Sequence, residues 1–440
     1  MSRYNLTRIE GKDGNPSQRN KVRVDNAGNL QVGIGSGGNS TDFADRIRTS
    51  EKEELFTHAA FSMKNHTMIE DTAGSGSSTF QFNLSATDLN TTTASGDRVT
   101  RQSFYYIPYL PGSPVLAKMT GVFAESKANV SQRIGMFDND NGVFFEDDGT
   151  GMGVVRRTKT SGSIVNNRVS QADWNIDPLD GTGPSGETVT SWNEWLLFWV
   201  EYLWQGAVGV KWGIIKNGKR IKCHQYYPDG ETVPYISKPN LPARYEIENT
   251  GTAASGTKLV EGCVDVVAEG GHRLVGSDWA FGTKATPINV GTSEEVVLVA
   301  RLKTSFDSQD VRRIIKLLTT SFLADTEDVY VRVAVVHSPT SVTGGSWTSV
   351  DSTHSAIEYN VGQPTITGGD NHTFDEYFVP ASSGGQGQSG TGSSQSRFDD
   401  THSLAVQNYD SSVSDLFVIY ATAMANTTNV WASMHVLEYE

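Results

Sequence analysis

Along most of this chain, apolar residues alternate with polar ones or gather in short β-branched and aromatic runs. Gly, Pro, Asn and Asp break these runs at regular intervals. That pattern predicts strands joined by turns. Phe80, Phe82 and Leu84 form a period-two face over 79–84, and strands are predicted at 103–109, 115–123 and 153–158. A hairpin is predicted from 133–137 and 143–146, closing over Asp138 to Gly142. The most apolar run, Trp192 to Trp204, alternates poorly and fits either a helix or a strand buried on both faces. Its aromatic content and the hairpin after it favour a strand. In that hairpin, 208–215 and 221–227 flank Asn217-Gly218, the preferred pair for a type I′ turn. Farther on, 296–302, 330–336, 416–424 and 430–439 are rich in Val, Ile, Tyr and Trp. One stretch differs: Val311, Ile314, Ile315, Leu318 and Phe322 fall at helical spacing behind Ser308 and Asp310. Over 308–323 both helix and strand stay open.

The patterns divide the chain into three parts. Residues 1–70 hold few large apolar side chains, with a small hairpin expected at 22–32 around Asn26-Ala27-Gly28 and a Gly/Ser-rich linker at 33–40. This part cannot bury a core of its own, so an extended N-terminal arm that orders against a partner is expected, with a disordered tail as the open alternative. Residues 71–275 read as a large β-sandwich and 276–440 as a second, smaller sandwich or jelly roll. Ser382 to Ser396, almost purely Gly, Ser and Gln, is expected to be a mobile loop.

With 440 residues the chain has ample material for buried cores. Its formal net charge of −14 opposes a nucleic-acid role, which needs clustered Lys and Arg. The two cysteines, Cys223 and Cys263, exclude a disulfide framework and lack the neighbours of a zinc site, so both are expected as buried apolar thiols. No apolar run reaches spanning length and none follows Met1, so a soluble chain made in a cytoplasm is expected.

Several motifs approach known chemistry and stop short. Gly213 to Arg220 nearly spells a phosphate-binding loop, but Arg220 stands where Ser or Thr would hold magnesium, and Asn217-Gly218 reads better as a hairpin turn. Asp138-Asn139-Asp140-Asn141-Gly142 is similar to a calcium loop, but Gly149 replaces the twelfth-position Glu. No cofactor is expected; calcium near Asp138 and Asp140, completed by Glu146 to Asp148, is the weak alternative. No Gly-x-Ser-x-Gly or His-Glu-x-x-His occurs. Glu194 and Glu201, seven residues apart, fall on opposite faces of a strand and do not make a hydrolase pair. His58, His66 and His224 have no nucleophile beside them and read as surface or satisfied side chains. No catalytic residue is assigned. Phe137, Trp192, Trp195, Trp199 and Trp212 are expected in the core, with Gly142, Gly183, Gly186 and Gly218 in turns. Trp174 and Trp204 are the candidate glycan contacts, since an exposed indole can stack on a sugar ring.

Four phrases together resemble virion structural proteins of tailed phages, marine and cyanobacterial ones among them, and of some large DNA viruses. They are Arg133 to Glu146, Asp180 to Gly186, Pro239 to Glu246 and Ala268 to Gly271, with a weaker likeness at Leu404 to Asn408. Ala44 to Ser50 matches the group's short basic segment only loosely. The resemblance implies a concanavalin-like β-sandwich in a particle component present in many copies, with no catalytic residues to carry over. The combined expectation is an all-β, non-enzymatic virion protein on the capsid surface or in the tail or its fibres. It would be tethered by its arm to other virion proteins and assembled as a homo-oligomer, a trimer being the guess, without nucleic acid or membrane insertion. The alternative is a lectin-like adhesin for a host surface glycan.

Overall fold

The computed structural model describes residues 52–60, 67–104, 106–205, 207–269, 276–381 and 413–439, with the short segments 23–24, 30–31, 392–395 and 404–405. Near the N-terminus, Arg23–Val24 (β1) and Leu30–Gln31 (β2) pair antiparallel, as the hairpin reading requires. The linker at 33–40, the segment 44–50 and His66 lie outside the described residues, as does the 382–396 loop apart from Gly392–Gln395, which is a strand.

Fifteen strands then follow. They are β3 (Lys52–His58), β4 (Met68–Ala73), β5 (Ser77–Gln81), β6 (Ala86–Thr91), β7 (Arg98–Ser103), β8 (Val115–Val122), β9 (Val130–Phe137) and β10 (Gly142–Asp147). After these come β11 (Met152–Thr158), β12 (Val165–Ser170), β13 (Leu196–Leu203), β14 (Gly209–Lys216), β15 (Lys219–Tyr226), β16 (Ala243–Asn249) and β17 (Thr257–Glu269). One sheet has seven strands in the order β12-β11-β10-β9-β16-β7-β4. The other has eight: β15-β14-β13-β8-β17-β6-β5 in line, with β3 beside β17. All the named strand pairs are antiparallel, and alternate residues of both sheets face a shared core. Ile134, Phe145 and Tyr245 from the first sheet meet Met119, Phe198 and Trp212 from the second. Phe145 and Phe198 touch with ring centroids 5.1 Å apart.

A second sandwich follows. Its first six-stranded sheet places Thr428–Tyr439 between Ser277–Gly282 and Ile314–Ala324. Its other sheet centres on Glu295–Leu302, Leu416–Ala423 and Val329–His337. Val331, Val333, Ile419, Met434 and Val436 fill the space between them. The described residues are thus all-β, arranged in two sandwiches, as the alternation predicts.

Several local expectations need correction. The 308–323 stretch, open between helix and strand, contains a strand: Ile314–Ala324 pairs with Thr428–Tyr439 along its length. Lys52–His58, expected in the arm, is β3 of the eight-stranded sheet. Phe82 and Leu84 do not continue the strand face; they sit exposed in a 3₁₀ turn after β5. Trp195 is not core but exposed, just ahead of β13, and Trp192 is half-buried against Phe198. Cys223 is buried as expected, whereas Cys263 is exposed. It occupies the register shift of β17 between Glu261 and Val264. Gly142 is the first residue of β10, opposite Phe137, not a turn residue.

Candidate binding faces

The face of the seven-stranded sheet turned away from the core carries a layer of paired charges. β9, β10 and β16 are neighbours, and their register sets Glu146, Arg133 and Glu246 side by side in one row. Arg133 bonds Glu146 at 2.9 Å, Glu246 at 2.5 Å and Glu248 at 2.9 Å. Two residues along β16 from Glu246, Arg244 is fully buried. It donates to Gln102 (2.8 Å), Asn139 (2.9 Å) and Glu246 (3.2 Å). Arg168 reaches Glu146 (3.4 Å) and Asp148 (3.2 Å), and Arg157 lies over the Phe144 ring. Burial alone would raise the Glu246 carboxyl, but Arg133, Arg244 and Arg157 hold it down at about 2. For Arg157 burial wins, with Arg133 beside it, and its guanidinium falls to about 10. This layer was legible in sequence only as strand residues of unknown orientation.

At one end of β9 and β10 the Asp138–Asn141 turn meets the second sandwich. The Asp138 carboxylate caps its own turn, accepting from the amides of Asp140 (2.8 Å) and Asn141 (2.6 Å). Arg312, arriving just ahead of the Ile314–Ala324 strand, pairs with Asp138 and lies 3.7 Å from Asp140. Lys159 pairs with Asp140 at 3.0 Å. Where a calcium ion would compete for these carboxylates, two side-chain cations already bond them. Among the described residues no group of His, Cys, Asp and Glu has the proximity to hold a metal.

A third charged group lies between the sheets. Glu261 of β17, with no exposed surface, pairs with Arg101 of β7 and lies 3.1 Å from Nε2 of the buried His58. The Nδ1 atom of His58 is 3.0 Å from the Thr67 hydroxyl. Buried charges are tolerated when paired in this way.

The outer face of the eight-stranded sheet has a different composition. Trp199 lies there with Leu116, Val267, Leu197 and Ile215, apart from the main core. Its indole covers Gly213, where a Cβ would collide with the ring, and Arg220 stacks over it at 4.1 Å. Glu201, almost fully buried, is shared by Lys211 (3.4 Å) and Arg220 (3.3 Å). Glu194 is exposed and pairs with Lys216, so the two glutamates do serve separate ion pairs. Trp195, with half its surface open to solvent, lies against Gly262, where a Cβ would come within 3.0 Å of the indole.

The two sequence candidates for sugar stacking lie elsewhere. Trp174 is buried, edge-to-face with Phe145 (6.2 Å) and Trp192 (6.0 Å), and its indole N–H donates to the Val169 carbonyl. Trp204 is half-buried; its N–H donates to the Ile236 carbonyl at 2.9 Å and its ring meets Tyr109 edge-on. The signal that separates Trp195 from them is weak in sequence: it falls outside the apolar strand proper, beside Glu194 and Asn193.

The chain matches no known family model and no curated protein. Among solved structures it is similar to a β-1,3-glucanase from Mycobacterium marinum at 10% identity and a TM-score of 0.34. That likeness covers 50% of this chain and 100% of the glucanase. A legume lectin-like domain from Entamoeba histolytica has 11% identity and a TM-score of 0.27, covering 45% and 88%. A carbohydrate esterase from Shiga toxin-encoding bacteriophage phi24B has 8% identity and a TM-score of 0.30, covering 50% and 99%. No residue role in this chain follows from these likenesses.

Proposed function

We propose that this chain is a non-enzymatic structural protein of a tailed-phage particle, on the capsid surface or in the tail or fibre assembly. It would be tethered through its N-terminal segment and assembled as a homo-oligomer, with a trimer as the working expectation. The observation that carries the non-enzymatic part is the charge layer on the seven-stranded sheet. A carboxylate-pair hydrolase needs one carboxyl kept protonated near neutral pH as the acid. Here Arg133 and Arg244 keep Glu246 ionised, and Arg133 and Arg168 bond Glu146. Such a layer supports a sheet face without supplying a proton. The assignment to a particle rests on the likeness of the Arg133 to Glu146, Asp180 to Gly186 and Pro239 to Glu246 phrases to virion proteins. A density map of purified particles is expected to place the chain in regular, symmetric copies. Its absence from purified infectious particles would sink the proposal.

A second reading is a lectin-like adhesin, favoured by the exposed Trp195. On a glycan array it predicts a signal that Trp195→Ala abolishes and that a conservative change at the buried Trp174 leaves in place.

A further inference from the structure

The exposed indole and the cations of the eight-stranded sheet share one face; Trp195 lies against Gly262, and strand register fixes how the cations relate to Trp199. Trp199 of β13 is opposite Gly213 of β14, which is opposite Lys222 of β15. Lys211, one pair along on β14, and Arg220, on β15, frame the same spot through their shared bonds to Glu201. The Lys222 ammonium, half-buried, donates to a neutral group, the Gln225 amide oxygen, at 3.1 Å. Burial, then the neighbouring Lys211, pushes its proton affinity below that of an ordinary lysine. An arriving anion would offset the repulsion from Lys211. From Trp195 to this spot is about four residues along β13 and two strands across, roughly 13 Å by 10 Å. A short oligosaccharide spans that distance.

We propose that this face binds an acidic glycan, with one sugar ring stacked on Trp195 and the carboxylate or sulfate of another held by Lys222 beside Lys211 and Arg220. The proposal rests on the adhesin reading and names the ligand class that reading leaves open. Charge complementarity favours a sugar bearing isolated acidic groups. A dense polyanion such as nucleic acid would be repelled at longer range by a chain of net charge −14. The indole at Trp195 favours the flat apolar face of a pyranose, and Gly262 leaves room for the ring to lie where it does.

Titration calorimetry on the full chain tests this with a galactan oligosaccharide bearing a single galacturonate, the methyl ester of the same compound and a singly sulfated galactan oligosaccharide. At least one acidic oligomer should bind, and the ester should bind on the order of tenfold more weakly or not at all. Lys222→Gln should weaken the acidic ligand by a similar factor without changing the thermal midpoint, and Trp195→Ala should weaken acid and ester alike. If the ester binds as well as the acid, or Lys222→Gln binds normally, the acidic subsite is overturned while the adhesin reading stands. If no oligosaccharide binds, the acidic subsite falls, and a blank glycan array is what would overturn the adhesin reading with it. Equal binding of single-stranded DNA would overturn the glycan assignment.

Discussion

At the scale of single residues, Arg133 and Glu246 fix the character of the seven-stranded sheet. Arg133 is bonded to three carboxylates, two of them buried. Removing one member of a buried ion cluster leaves charge uncompensated, at a cost of about 3–5 kcal/mol. Arg133→Met is therefore expected to lower the unfolding free energy by about that much in urea; a loss below about 1 kcal/mol would contradict the cluster's role. Acid unfolding gives an independent check. The Glu246 carboxyl sits at about 2 in the fold, below its ordinary 4.5, so its contribution is full above pH 4.5 and is lost as pH falls toward 2. Glu246→Gln is expected to be less stable than the native chain at neutral pH but to lose less stability between pH 4.5 and pH 2. Urea midpoints in that window measure it, and parallel pH curves for the two proteins would refute it.

At the scale of elements, the β14–β15 hairpin shows what sequence can and cannot specify. Asn217 and Gly218 take φ of 51° and 74°, the left-handed pair that the type I′ turn requires. Gly218→Ala places a Cβ in that region and is expected to cost about 1 kcal/mol, seen as a lowered thermal midpoint. Gly213→Ala should cost more, about 1–3 kcal/mol, because the new Cβ meets the Trp199 ring and the Ile221 carbonyl together. A variant as stable as the native chain would mean that the indole moves aside freely. The turn was legible because its chemistry is local. The Ile314–Ala324 strand was not, because a register shift between Leu317 and Thr319 breaks the period of two. Its apolar residues then mimic helical spacing, and only the pairing with Thr428–Tyr439, distant in sequence, decides. Cys263 was misplaced for the same reason: a register shift in β17 turns it toward solvent. Trp195 belongs to a run whose other tryptophans are at least half-buried, and what exposes it is position just before the strand, a boundary that composition does not mark.

At the scale of the whole molecule, two adjacent arginines at the seam between the sandwiches point to opposite partners, beside Ile314 and Tyr439, which pack into the first core, and Asn240, whose amide donates to the Arg312 carbonyl. Arg312 pairs with Asp138 in the first sandwich and lies over the Tyr106 ring at 4.8 Å. Arg313 bonds Glu438 in the second at 2.8 Å, and Glu438 also accepts from Ser355 (2.7 Å) and from the Ala356 amide (3.0 Å). The two residues just ahead of the Ile314–Ala324 strand therefore bond to both bodies. Nothing local in the sequence marks Asp138 as the partner of Arg312, which is why the carboxylates of that turn read first as a calcium loop. The prediction concerns cooperativity as well as strength. In calorimetry the native chain is expected to unfold with the two sandwiches coupled. Arg312→Ala leaves Asp138 buried without its guanidinium, which should weaken the first sandwich at the seam and separate the transition into two. Arg313→Ala should instead lower the midpoint of the second sandwich while Arg312 still holds the seam. A single transition of unchanged shape in Arg312→Ala would show that the packing of Ile314 and Tyr439 against the first core couples the sandwiches without the ion pair.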